Sequence, residues 1–148
     1  MDANFYETVK NSSAHTACRN KILQMVLSNK DYQTDLFEIA LNLDDKNHYK
    51  AIWIAEMLAE KHFDFIPIYI PKFLDLFGQL KHQSALRGGS RILMFIHQKS
   101  ILTKLQQEKV IEICLDWLVG NYKVVVKWCS LQILADLSQS HVWIKDEL

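Results

Sequence analysis

Leu36-Phe37-Glu38-Ile39-Ala40-Leu41-Asn42-Leu43 is the stretch from which the fold is read. Leu36, Ile39, Ala40 and Leu43 fall at i, i+3, i+4 and i+7, which is one face of an α-helix. Phe73, Leu76, Phe77 and Leu80 occupy the same register 37 residues later, and Val110, Ile113, Cys114 and Trp117 do so after 37 more. All twelve positions are apolar, and the position on the solvent side is acidic each time: Glu38, Asp75 and Glu112. Self-similarity at such a period is the mark of stacked helical units, none of which can bury its apolar face alone.

Each of these first helices is followed by a second that has a basic residue near its start: Lys50, Arg87 and Lys127. The step from Asn42 to Lys50 and from Gln79 to Arg87 is eight residues, whereas Asp116 to Lys127 is eleven. The third connection therefore carries an insertion around Gly120-Asn121, where Gly suits a left-handed helix end and Asn caps the next helix. The second helices are predicted over about 45–61, 82–98 and 122–138, and are apolar around more of their girth, as in Ala51–Ala59 and Val124–Leu137. Ser12 or Ser13 is placed as the cap of a helix over 14–29, Asp31 before the first repeat helix, Asp44 or Asp45 before its partner, and Thr103 with Gln106 as a capping box. Pro67 fits a first helical turn. Pro71, one turn on, makes the second repeat's first helix either bend or start late. The expectation is a single all-α domain over 1–148, a short right-handed α-solenoid of about three antiparallel helix pairs. The pairs are 31–62, 65–98 and 103–139, with N-terminal cap helices over 1–30 and a C-terminal cap over 142–148.

Composition bounds the function. Lys+Arg and Asp+Glu balance at 17 each, which argues against a strongly anionic partner such as duplex DNA without excluding a local basic stripe. Cys18, Cys114 and Cys129 form no C-x-x-C pair and are read as buried thiols of a reducing, cytoplasmic protein. No signal peptide and no membrane-length apolar run is legible. The terminal Lys145-Asp146-Glu147-Leu148 spells an endoplasmic-reticulum retention signal, but on a chain without an entry signal it reads as the end of a terminal helix.

On the paired helices, the period and the basic residues Lys50, Arg87 and Lys127, the chain resembles the HEAT and armadillo-like superfamily over about 31–140. That family's Asp in the turn between paired helices is matched by Asp44-Asp45; the second turn lacks one, and the third has only Asp116. The chain also resembles a group of short bacterial helical-repeat proteins on Asp44-Asp45-Lys46, Tyr49-Lys50-Ala51, Trp53, Glu56 and Val126-Lys127-Trp128. Members of that group sometimes carry the label adenylosuccinate lyase. Enzymes of that superfamily carry a Gly-Ser-Ser-x-Met-Pro-x-Lys loop, and the nearest match here, Gly88-Gly89-Ser90-Arg91, has no Met-Pro after it.

No other catalytic, cofactor or metal motif is present. His15 and Cys18 share a helical face without further ligands, the remaining histidines form no H-x-x-x-H, and Gly88-Gly89 is no phosphate loop. Two glycines within a helix cost roughly 1 kcal/mol each and call for a close neighbour. The repeat register sets Gly88 against Ala51 and Trp128, so a large side chain, Trp128 or Trp53, is expected over the glycines, with a ligand in the gap as the alternative. The second helices of such stacks line the concave face, which would present Lys50, Trp53, Arg87, Arg91, Lys127 and Trp128. The opposing expectation is that these cations pair with Glu56, Glu60 or Asp136 while the indoles enter the core. Together these features point to a non-enzymatic scaffold for a protein or peptide. A nucleic-acid-binding HEAT-like domain is the alternative and an enzyme the remote one; oligomeric state is left open.

Overall fold

A computed structural model describes residues 1–146, which form eight α-helices, three 3-10 turns and, among the described residues, no strand. The helices are α1 (Ala3–Lys10), α2 (Thr16–Ser28), α3 (Lys30–Ala40), α4 (His48–Lys61), α5 (Ile70–Phe77), α6 (Gln83–Lys99), α7 (Lys104–Val119) and α8 (Val124–Leu137). The 3-10 turns are Phe63–Phe65, Pro67–Tyr69 and Val142–Asp146. Lys145 and Asp146 thus end in a 3-10 turn, while Glu147 and Leu148 of the terminal tetrapeptide lie outside the described residues.

The repeat stripe is the core. Eleven of its twelve positions are buried, Leu43 being half-buried against them, and Glu38, Asp75 and Glu112 face water. A chain of four rings, three of them stripe residues, joins the three first helices. Phe37 of α3 meets Phe73 of α5 at 6.1 Å between centroids, Phe73 stacks on Phe77 at 5.4 Å, and Phe77 reaches Trp117 of α7 at 6.3 Å. Such ring pairs contribute about 0.5–1.5 kcal/mol each beyond their burial.

Helix α6 packs against α4 on one side and α8 on the other, while α3 packs on α4 and α7 on α8. The links between second helices ascend together. Gly88 lies on Ile52, Arg91 on Glu56, and Lys99 Nζ donates to the backbone oxygens of Ala59, at 3.1 Å, and Glu60. Toward α8, Cys129 faces Ser90 and His97 Nε2 lies 3.1 Å from Asp136 Oδ2. Helices α4, α6 and α8 therefore run in one direction, offset by about one repeat. Lys99, over the rings of Phe63 and Phe95, places its charge at the carbonyl end of α4, where a helix dipole favours a cation.

The glycine pair explains the tightest seams. A Cβ on Gly88 would stand 2.7 Å from Ile52 Cγ2, and one on Gly89 2.6 Å from Leu80 Cδ1 and 3.4 Å from Phe77 Cε1. Helix α6 thus approaches α4 through one glycine and the end of α5 through the other. The expected indole is not there: Ile52 fills the space over Gly88, while Trp53, one residue round α4, lines the hollow beside it and Trp128 is 51% exposed on α8.

Caps differ from expectation in detail. Thr103 and Gln106 form the reciprocal capping box. Helix α2 is instead preceded by His15 with no side-chain cap, because Ser12 Oγ donates to Val9 O and Ser13 Oγ accepts from the His15 N–H. Asn29, rather than Asp31, caps α3. Asp45 accepts the Asn47 N–H ahead of α4. Gly120 is extended (φ −80°), not left-handed, and the residue before α8 is Lys123 with no side-chain cap. Pro71 sits in the first turn of α5, so the helix starts late after the Pro67–Tyr69 turn rather than bending. Cys18 is half-buried and takes the Ser13 N–H; Cys114 and Cys129 are free and buried.

His48 opens α4 in a buried position, bonded to the backbone of Ala40, with no partner for Nδ1. Loss of solvent holds its pKa below 6.5 despite the Ala40 bond and nearby Asp45. The unfolded chain therefore takes this proton first. Its contribution is complete above about pH 6.5 and is lost as pH falls toward the folded value. Urea denaturation is expected to show stability falling from about pH 7 to 5, with His48→Gln flattening that limb. Gly88→Leu is expected to cost at least about 2 kcal/mol by overpacking against Ile52. Gly78→Ala, whose Cβ meets nothing within 4 Å, is expected to be neutral within about 0.5 kcal/mol in the same measurement.

Candidate functional site

A cleft of about 490 Å³ opens where the start of α2 lies across α4 and α6. Helix α4 contributes Trp53, Glu56, Met57, Glu60 and Lys61, and α6 contributes Ser84, Arg87, Gly88 and Arg91. Both sets recur at i, i+3, i+4 and i+7, with Lys61 one residue further on α4, so each is one stripe of its helix turned to the same hollow. Ala14, Thr16 and Arg19 close the remaining side. The hollow exists because Gly88 brings the two backbones together while the long side chains on either side of the seam stand apart.

Arg91 is fixed by two carboxylates: its Nε lies 2.8 Å from Glu56 Oε1 and its Nη2 3.5 Å from Glu60 Oε2. The Nε–H is not aimed along the line to Glu56, so this contact is an ion pair rather than a directed hydrogen bond. The guanidinium also lies 5.6 Å over the Phe95 ring. Arg19 holds its Nε out of water with no hydrogen-bond partner among the described residues. Arg87 is exposed and, like Arg19 and Lys61, has no carboxylate within 4.0 Å among the described residues. Trp53 is half-buried, edge-on to Tyr49 at 5.3 Å, and forms an aromatic wall.

Desolvation raises the Glu56 pKa above the usual carboxylate value, against the pull of Arg91, Arg87 and Arg19. Ionising Glu56 in the fold is thus a net cost even with cations beside it, as is common for half-buried ion pairs.

Of the six residues read from the sequence, Trp53, Arg87 and Arg91 meet in this cleft. Lys50 does not line it: its Nζ donates to Lys10 O at the end of α1 and lies 5.9 Å over the Tyr49 ring. Lys127 and Trp128 sit on α8 outside the cleft, Trp128 in an exposed stripe with Val124 and Leu131. Arg91 pairs with Glu56 and Glu60 as the opposing expectation has it, but Asp136 is met by His97 rather than by one of the six residues, and the indoles stay out of the core, Trp53 half-buried and Trp128 exposed. Arg19 was not legible as a site residue, because α2 lies outside the repeat register. Glu56, Met57 and Glu60 carried a signal in their helical spacing from Trp53. Among the described residues no three His, Cys, Asp or Glu side chains gather as metal ligands would, and no helix is long and apolar enough to cross a membrane.

No family model, curated protein or solved structure matches this chain.

Glu56→Gln is expected to be as stable as the native chain or more so, by up to about 1 kcal/mol at pH 7. The sign follows from a raised carboxylate pKa: its stabilising contribution is present below 4.5 and is lost as pH rises through the folded value. The difference between the two proteins is therefore expected to shrink as pH falls in thermal denaturation.

Proposed function

We propose that this chain is a non-catalytic binding module, a short right-handed solenoid of the HEAT kind that holds a segment of a protein or peptide. The segment lies across the second helices, with α2 as the side wall. The single observation that carries this reading is the cleft itself: three guanidinium groups and an indole turned to one hollow of about 490 Å³. Arg and Trp are the residues that dominate binding hot spots, since each offers a broad, rigid contact surface with few torsions to freeze. The common direction of α4, α6 and α8, stepped by about one repeat, supports the solenoid reading and with it the use of this face.

The cleft is also poor in the parts of an enzyme. Its wall carries the hydroxyls of Thr16 and Ser84 but no histidine to activate either, and its half-buried carboxylate, that of Glu56, is engaged by Arg91. Nucleic acid has less support, because Lys50 and Lys127 do not continue the cleft into a track for a phosphate backbone. The buried free thiols of Cys114 and Cys129 fit a reducing compartment such as the cytoplasm.

The test is affinity purification from the native cell of the wild type, an Arg19→Glu/Arg87→Glu variant, and a Lys127→Glu variant as an off-cleft control. Partners that co-purify with wild type and the control are expected to be lost from the double variant. Identical partner sets for all three proteins would place binding elsewhere.

A further inference from the structure

Four cations line the cleft, Arg19, Lys61, Arg87 and Arg91, against two carboxylates, Glu56 and Glu60. Both carboxylates are engaged by one guanidinium, that of Arg91. The other three cations have no carboxylate within 4.0 Å among the described residues. The hollow therefore keeps an excess of two positive charges in a protein whose net charge is zero. One of those cations, Arg19, reaches the hollow from α2 with its Nε out of water and no hydrogen-bond partner among the described residues.

The backbone adds to this field. Helix α2 opens at the cleft, with Thr16 in its first turn and no side chain capping its free N–H groups. The start of α6 contributes less, since the Ser84 N–H is already taken by His82 Nδ1 at 3.1 Å. The positive end of a helix favours an anion, and guanidinium forks match tetrahedral oxyanions with paired hydrogen bonds.

Charge matching chooses among anions. A phosphomonoester carries about −1.5 to −2 at neutral pH, which answers the excess of two. A carboxylate would leave one positive charge unanswered. A phosphodiester chain supplies one charge per group along a line, whereas Lys50 and Lys127, which would extend a track, lie off the cleft. The indole of Trp53 and the thioether of Met57 form an apolar wall for whatever carries the phosphoryl group.

We infer that the cleft is a phosphomonoester pocket that receives a phosphorylated side chain of a bound peptide. Arg19 and Arg87 clasp the phosphoryl oxygens, and Arg91, held in place by Glu56 and Glu60, positions the field from behind. This rests on the peptide-binding reading above and makes that binding conditional on phosphorylation of the partner.

The test follows the Trp53 indole and the Arg19 and Arg87 Nε–H signals by NMR at constant ionic strength. The probes are inorganic phosphate, a capped Gly/Ala peptide carrying one phosphoserine, and the same peptide with serine or glutamate in its place. Inorganic phosphate is expected to saturate the three signals with a dissociation constant of about 1 mM or tighter. The phosphoserine peptide is expected to bind at least about tenfold tighter than its serine and glutamate counterparts. Arg87→Lys, which keeps the charge and loses the fork, is expected to weaken phosphate about tenfold, and Glu56→Gln to tighten it. Absence of saturable shifts with both phosphate and phosphopeptide would overturn the inference, as would shifts indifferent to Arg87→Lys. Binding of inorganic phosphate with exclusion of the phosphopeptide would assign the pocket to a small phosphomonoester instead. An oligonucleotide that displaces phosphate and shifts Lys50 and Lys127 as well would assign it to nucleic acid. None of these results depends on the co-purification experiment, so a failed pocket and a failed binding face are told apart.

Discussion

The close approach of α4 and α6 at Gly88 is the constraint on which the rest of this molecule depends. Two helices ordinarily pack at 8–10 Å because side chains separate them, and here one helix has none to offer at the point of contact. Ile52 takes up the space, and the seam closes around a branched methyl group rather than an aromatic ring. Once the seam is closed, Trp53 and Arg87, each next in sequence to a seam residue, stand on the same rim of it. The cleft is a by-product of packing that the side chains along its edge then fill with charge.

The electrostatics follow a similar division of labour. Arg91 is neutralised locally by Glu56 and Glu60 and so acts as a fixed post, while Arg87 and Arg19 keep their charge uncommitted. Desolvation of Glu56 disfavours its charged form, and the arginines beside it only partly offset that. Groups arranged against their own stability in this way are often found where a fold meets a ligand, although structural ion pairs do the same.

Much of the fold was legible because a helix with one buried face must repeat its apolar residues, and Leu36, Phe73 and Val110 do so in step. The all-helical class, the Thr103 capping box and the helix order follow from such local rules. The caps of α2, α3 and α4 did not, because Ser, Asn and Asp were clustered there and several could satisfy the same N–H groups. The candidate site was half legible. Basic residues could be lined up by register, but register cannot tell which way a long side chain turns. Lys50 turned toward the open carbonyl of Lys10, and Lys127 shares its register with Arg87 without sharing its surroundings. Arg19 had no register at all; only the way α2 folds over α4 brings it to the cleft. The resemblance to HEAT-like proteins remains a reading of the pattern, with the common direction of α4, α6 and α8 as its support.

Helix α6 has a further consequence, for how the molecule comes apart. It is flanked by α4 and α8, and the remaining helices chiefly touch their nearest companions in the stack. Connectivity of this kind favours rapid assembly, because few contacts wait on the closure of long loops. It also concentrates cooperativity in one element. The α4–α6 seam, the most closely packed junction between helices, joins α1–α4 to the rest of the chain, so subglobal opening there is the costliest. The Gly88 seam that shapes the cleft is then also the part of the molecule that native-state fluctuations open least.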